Sequence, residues 1–341
     1  TCRRETVAAN ALADALCGSN DAPLKRRILS AGLARDVRIQ VNDSTQQTFV
    51  TLEAAYLDES RSDEVCAAIR DEISRLIRDG LDHEYLAATL ASMEFQMRHR
   101  DFGSMPQGLG LGMMVLGSWL YGGDPAANLE AGELFADLNA ALETGYFEDL
   151  LARIFLRNPH TCEVLLVPSP VAGQERQERE AARLQEEQDA WKGGRKTALL
   201  AQQEKRLAWQ SSPDTAEALA ALPRLRLSDI PPQPENIPTE VEEVDGLPLL
   251  RHAIPTGGVD YVNLYFEVSD LEAEQISGLS FLCTLLGILD TQRYAAMELQ
   301  RLNRLNLGSL RFSLEPYGEL NQPENCRVFL CAAFSAVEEK L

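Results

Sequence analysis

The sequence predicts an α+β fold, with antiparallel sheets covered by helices in two partial modules joined by a long helical hairpin. Three observations carry this. Apolar residues alternate at Val37, Ile39, Val41 and again at Val50, Leu52, Ala54, Tyr56, across the turn chemistry of Asn42-Asp43-Ser44. After residue 246 the pattern runs strand, strand, helix, helix, strand, strand, and not the strict strand–helix alternation of a parallel sheet. Between these regions, residues 169–231 are too polar to enter a core. The expected divisions are 1–168, 169–231 and 232–341.

The elements follow in order. Thr1 to about Leu16 and Pro23 to Leu33 are helical, and the two alternating runs form an antiparallel pair. Ser62 is placed to cap a helix whose first turn carries Asp63 and Glu64, where negative charge suits the dipole. Val65, Ile69, Ile73 and Leu76 form its inner face, and Gly80 ends it. Asp82 caps the next helix, with Leu86, Leu90, Met93 and Met97 on one stripe. Helices are expected at about 106–121, 125–143 and 145–157, then an apolar strand from Thr161 to Val167.

From Ser169 the chain reads as two polar helices around Lys192-Gly193-Gly194, a stop signal in a helical run. Ala181, Leu184 and Trp191 on the first arm, with Leu200 and Leu207 on the second, mark a thin seam. A hairpin on the surface would tie or hinge two globular pieces with few contacts crossing between them. Beyond it, Leu247 to Ala253 is a short strand and Val262, Leu264, Phe266, Val268 a long one. Gly278 to Leu289 and Ala295 to Leu305 are helices. Leu310, Phe312, Leu314 and then Val328, Leu330, Ala332, Phe334 are strands, and SAVEEKL begins a further helix.

At 341 residues, with 45% hydrophobic and 25% charged residues, the chain can bury real cores. No apolar run reaches the roughly 20 residues of a membrane span. The start is an amphipathic helix without an initiator Met, which suggests an excised piece. Seven scattered cysteines (Cys2, Cys17, Cys66, Cys162, Cys283, Cys326, Cys331) with no CxxC argue for a reducing compartment and mostly buried thiols. A net charge of −20 with no extended basic stretch excludes an ordinary nucleic-acid binder. The acids cluster at Glu130, Glu133, Asp137, Glu143, Glu148, Asp149 and at Glu235, Glu240, Glu242, Glu243, Asp245. Such runs solubilise a surface. On a concave face they would attract basic peptides.

No complete catalytic constellation is present. His83-Glu84 lacks the second histidine of HExxH, and His99, His160 and His252 show no ligand spacing. His99-Arg100-Asp101-Phe102-Gly103 overlaps two kinase motifs that act as separate loops, so it reads as chance. The GLGLGMMVLG run (Gly108, Gly110, Gly112, Gly117) lacks the dinucleotide register and fits close helix packing better.

Three stretches carry a family resemblance. SMEFQMRHRDFGSMPQGLGLGMMVLGSWLYGGDP, LPRLRLSDIPPQPENIPTEVEEVDGLPLLRHAIPTGGVDYVNLYFEV and SNDAPLKRRILSAGL resemble segments of the presequence-protease branch of the pitrilysin/insulinase-type (inverzincin) zinc metallopeptidases. The resemblance implies four similar α+β modules in two halves, tied by a helical hairpin and closing around a peptide. It implies zinc held in the first module by an HxxEH helix whose Glu activates the metal's water. This chain would run from inside the second module (1–168) through the linker (169–231) into the third (232–341).

Aligning GLSFLCTLLGILDT with the family's GxxHxxEHxxFxGT places Phe281, Thr284 and Leu285 where His, Glu and His would stand. The resemblance therefore implies no catalytic or metal residue in this chain, and zinc only in the parent enzyme. The implied function is a non-catalytic chamber wall and hinge of a peptidase acting on short unfolded peptides, basic ones included. Its partners would be those peptides and the remaining modules, with no nucleic acid and no membrane. Its setting would be the bacterial cytoplasm, or an organellar matrix in a eukaryote. The alternative is a non-enzymatic scaffold or peptide-binding protein built from degenerate modules.

Overall fold

The computed structural model describes residues 3–130, 132–233, 236–319 and 321–340, so Cys2 and Glu235 lie outside the described residues. The fold is α+β, as the sequence predicts: helices dominate, and the sheets are small and antiparallel. The chain divides into two compact units. One joins the residues up to Leu165 with those from Pro255 onward, and the other is Leu166–Ile254.

The first unit opens with α1 (Arg3–Cys17) and α2 (Pro23–Ser30), followed by β1 (Asp36–Asn42) and β2 (Phe49–Ala55). The strands pair antiparallel from Asp36↔Ala55 to Asn42↔Phe49, so Val37 and Ile39 face inward while Arg38 and Glu53 bond each other outside. Helices α3 (Ser62–Asp79), α4 (His83–His99), α5 (Gln107–Trp119), α6 (Gly132–Ala141) and α7 (Tyr146–Phe155) complete this part. Leu12, Leu16, Ile28, Val37, Ile73, Leu86, Leu90, Phe135, Phe147 and Leu151 are essentially solvent-free. Each such side chain contributes about 1.5–3 kcal/mol on leaving water.

Local signals set the helix ends. Asp82 accepts a hydrogen bond from Tyr85 N at 2.9 Å and starts α4, and Gly80 ends α3 at φ 92°. Ser62 is not a cap: it is the first helical residue of α3, whose N-cap position is Arg61 without a side-chain bond, while Asp58 caps the short turn Glu59–Arg61 before it by accepting from Ser60 N. Residues 161–167 form no strand. Val164 and Leu166 stay largely exposed there, since an extended run needs a neighbouring ladder to become a strand.

The second unit holds α8 (Ala172–Asp189), α9 (Arg195–Ser211), α10 (Ala216–Ala221), β3 (Glu240–Val244) and β4 (Leu247–Arg251). Gly193, at φ 57°, makes the turn between the two long helices that the sequence predicts. The thin seam does not close: neither helix buries a residue, and Leu184, Leu200 and Leu207 remain about half exposed. Strands β3 and β4 form a hairpin through Asp245 (φ 53°) and Gly246 (φ 80°), the positive-φ pair of a type I′ turn.

After Pro255 the first unit resumes with β5 (Val259–Glu267), α11 (Ala273–Leu285), α12 (Ala296–Asn306), β6 (Ser309–Glu319) and β7 (Gln322–Val337). The sheet order is β5-β7-β6, antiparallel throughout, with Val259↔Val337 and Ser309↔Ser335 in register. Ser335 to Val337 thus belong to β7 and do not start a helix, because strand partners are still on offer there.

The flanks of the polar tract were expected to stay apart, and they do not. Helix α12 packs on α4. Arg304 donates to Asp14 Oδ2 at 2.8 Å and to Tyr85 OH at 2.9 Å, Arg301 pairs with Glu84, and Phe95 is buried with Val259 and Val337. A polar tie limits only what the tie itself can bury and leaves its flanks free to meet. One expected result follows. A protease cut confined to residues 190–194 should leave the two flanking pieces co-eluting under native conditions. Separation on gel filtration would rule out the packing of α12 on α4.

Candidate functional site

Phe281, Thr284 and Leu285 all lie on α11. Phe281 is 66% exposed, and Thr284 turns its hydroxyl to Phe281 O at 2.7 Å. Neither a phenyl ring nor an isobutyl group can coordinate zinc, and the one hydroxyl is taken by the backbone. The donor set does not fit the metal. Among the described residues, no group of three or more His, Cys, Asp or Glu could hold an ion.

The histidines are dispersed in space as in sequence. His83 Nε2 donates to Glu148 Oε1 at 3.0 Å, and His252 lies 3.1 Å from Thr239 Oγ1. His160 is exposed in a loop. His99 stacks on Phe95 with centroids 5.1 Å apart and bonds Tyr261 OH, holding the end of α4 against β5. The kinase-like pentapeptide is a helix terminus. Arg100 takes the left-handed conformation at φ 50° and donates to Leu129 O, and Asp101 accepts from Gly103 N at 2.7 Å.

Phe102 explains one glycine of the Gly-rich run. A Cβ on Gly110 would sit 2.5 Å from its ring, whereas Gly108 and Gly112 meet nothing within 4 Å. Close packing therefore accounts for Gly110 alone.

The first acidic run is not uniform. Glu130, Glu133, Asp137 and Glu143 are exposed. Asp149 pairs with Arg157 and Arg153, and the hydrogen bond from Arg157, with the positive charges of both, holds its carboxyl below the usual range. Glu148 is half-buried and bonds both His83 Nε2 and Leu81 N. In the second run Glu240, Glu242 and Glu243 are exposed along β3.

Cysteine burial is mixed. Cys17, Cys283 and Cys331 are buried, while Cys162 and Cys326 are exposed, and the described cysteines are free thiols. Burial pushes the Cys17 thiol up to about 12, which makes it inert at neutral pH.

One groove of the first unit was not visible in the sequence. It measures about 830 Å³ and lies between the start of α1, the β1–β2 turn, the end of α4, α5 and the loop at 121–128. Tyr121 OH donates to Ser44 O at 3.0 Å and ties the loop to the turn. Asn128 Nδ2 donates to Met114 O at 2.9 Å and fixes the far side of that loop. Arg3, Asp43 and Asp124 supply its charges, and Met97, Met113 and Met114 part of its apolar wall. Arg3 Nη2 is buried and has no hydrogen-bond partner among the described residues. Burial lowers the Arg3 pKa against the opposing pull of Glu130. No local pattern brings these segments together, and Arg3 reads in sequence only as the polar end of an amphipathic helix.

A second cavity, of about 250 Å³, lies beside Glu94, Arg98, Arg304 and Lys340. Its cations already have partners: Arg98 bonds Glu94, Arg304 bonds Asp14, and Lys340 caps the end of α12 through Leu305 O.

Comparison with known proteins places the chain. Its residues 166–341 match the family described as Peptidase M16 (subfamily C) associated. Protein HypA of Clostridium perfringens is 30% identical over 334 residues, which cover 98% of this chain and 34% of that protein. Presequence protease 1, chloroplastic/mitochondrial, of Arabidopsis thaliana is 27% identical over 292 residues, 84% of this chain and 27% of the relative. The mitochondrial presequence protease of Xenopus tropicalis is 22% identical over 310 residues, 90% of this chain and 30% of the relative. The chain thus spans about a third of the length of the curated relatives it matches. No described helix is long and apolar enough to cross a membrane. With the match running unbroken from the start of the polar tract to Leu341, the chain belongs to this peptidase-associated family, as its resemblance to presequence proteases implied.

Proposed function

We propose that this chain is the central, non-catalytic segment of a longer zinc metallopeptidase that degrades short unfolded peptides in a closed chamber. The observation that carries this is the match of 84% and 90% of the chain to two proteins named presequence protease, at 27% and 30% of their own length. Residues 1–168 are then part of a second module, 169–231 the tie, and 232–341 the start of a third. Metal and catalytic carboxylate come from a module outside this chain, since α11 offers Phe281, Thr284 and Leu285 at the ligand positions. The chain supplies wall and tie. Motion between its own flanks would require opening the α4–α12 contact, so it is no hinge by itself.

The test compares two samples. The complete polypeptide that carries the chain should hold about one zinc and cleave unfolded peptides, with activity lost to a chelator and restored by metal. The 341-residue chain alone should hold no stoichiometric zinc and cut nothing. A complete polypeptide without zinc or cleavage would favour the non-enzymatic scaffold. Chelator-sensitive cleavage by the chain alone would overturn the non-catalytic assignment.

A further inference from the structure

We propose that the groove between α1, the β1–β2 turn and α5 binds a short peptide by its ends, with the C-terminal carboxylate at Arg3 and the amino terminus or a basic side chain at Asp43 and Asp124. This rests on the peptidase reading above and assigns it one binding subsite within this chain.

The argument begins with Arg3. A guanidinium nitrogen withdrawn from water with no acceptor costs free energy, and a native protein leaves few such groups without a reason. The missing acceptor is anionic by preference, because charge-assisted bonds from arginine to carboxylate are the strong ones. Arg3 also borders open space that a ligand can enter. At about 830 Å³, the groove falls within the roughly 300–1,000 Å³ of ordinary ligand sites.

The rest of the lining selects the ligand class. A simple anion would meet Arg3 but also Asp43, Asp124 and nearby Glu130, so its net attraction is poor. A molecule with a negative and a positive end matches both signs. Asp43 makes no bond to another described residue, and Asp124 spends one oxygen on Ala126 N. Asn10 donates its amide to Thr6 O, which leaves its carbonyl oxygen for an incoming N–H. Met97, Met113 and Met114 are unbranched and adaptable, so the wall can accept side chains of differing shape. Free peptides of a few residues combine all these features, and the sequence-independent parts make the polar contacts.

Isothermal titration of the complete polypeptide, with chelator present so that nothing is cut, tests this directly. The probes are Lys-Met-Ala-Leu with both ends free, its C-terminal amide and its N-acetyl form. The free-ended peptide should bind about tenfold or more tightly than the amide, the fold-change expected of a charge-assisted bond lost. In Arg3→Gln, with unchanged thermal melting, acid and amide should bind alike, and Arg3→Lys should restore part of the preference. In Asp43→Asn the free-ended peptide should lose affinity towards that of the N-acetyl form. Equal binding of acid and amide by the wild type, or an unchanged preference in Arg3→Gln, would overturn the proposal. A polypeptide that cleaves peptides without this preference keeps the peptidase reading and loses only the groove. One that neither cleaves nor binds peptide loses both.

Discussion

Alanine at Gly308 is expected to cost about 3 kcal/mol of stability, at the upper end for an overpacked site. A Cβ built there would lie 2.0 Å from the Phe95 ring. That ring cannot retreat: it is 6% exposed, buried with Val259 and Val337, and stacked on His99. Gly308 leads into β6, so the clash would push the β5-β7-β6 sheet away from α4. Gly112→Ala is the control. Its Cβ would meet nothing within 4 Å in the interior of α5, so it should raise stability by up to about 1 kcal/mol through helix propensity alone. Denaturant midpoints of both variants at constant slope give the two numbers. A Gly308→Ala loss under about 0.5 kcal/mol, the range of an ordinary surface change, would mean that β6 does not approach α4 this closely.

The contrast between these glycines shows what the sequence could and could not reveal. Both stand in apolar surroundings, and only the distance to a ring far away in the chain separates them. Elements with a strong local period were legible. The alternation at Val37 and Leu52 gave β1 and β2, the stripe from Val65 to Leu76 gave α3, and Asp82 marked the start of α4. Strand β3 was not legible because Glu240, Glu242 and Glu243 give it the composition of a charged surface, although Asp245-Gly246 is a strong hairpin signal. The Thr161–Val167 run had strand composition but no partner, and pairing is not a local property. Association of α12 with α4 rests on pairs such as Arg304 and Tyr85, which stand 219 residues apart. A single sequence offers no pattern for such a pair. The Arg3 groove escaped for the same reason, since separate segments build it.

The acidic run taken as one feature separates into two kinds of residue, and Glu148 is where the difference has the largest expected effect. Glu148→Lys should destabilise the first unit by about 2 kcal/mol, since it breaks a half-buried pair, leaves Leu81 N without its acceptor and places a cation beside His83. Glu133→Lys and Asp137→Lys, both on the exposed face of α6, should each stay within about 0.5 kcal/mol. Any test of long-range attraction for basic peptides must therefore use Glu133 and Asp137 and leave Glu148 alone. The pH dependence has a defined sign. Burial alone would raise the Glu148 pKa, but the hydrogen bonds from His83, its own backbone and Leu81 outweigh it and hold the group below its ordinary value. The unfolded chain then binds the proton more readily than the folded one. The stabilisation is complete above the unfolded carboxylate pKa of about 4.3 and is lost as pH falls through the lower native value. Glu148→Gln cannot titrate, so its stability should fall less steeply with acid than that of the wild type across this window. Denaturation midpoints taken from about pH 7 down to about pH 3 measure the slopes. Parallel acid limbs for the two proteins would show that Glu148 is not the carboxylate His83 and Leu81 hold ionised.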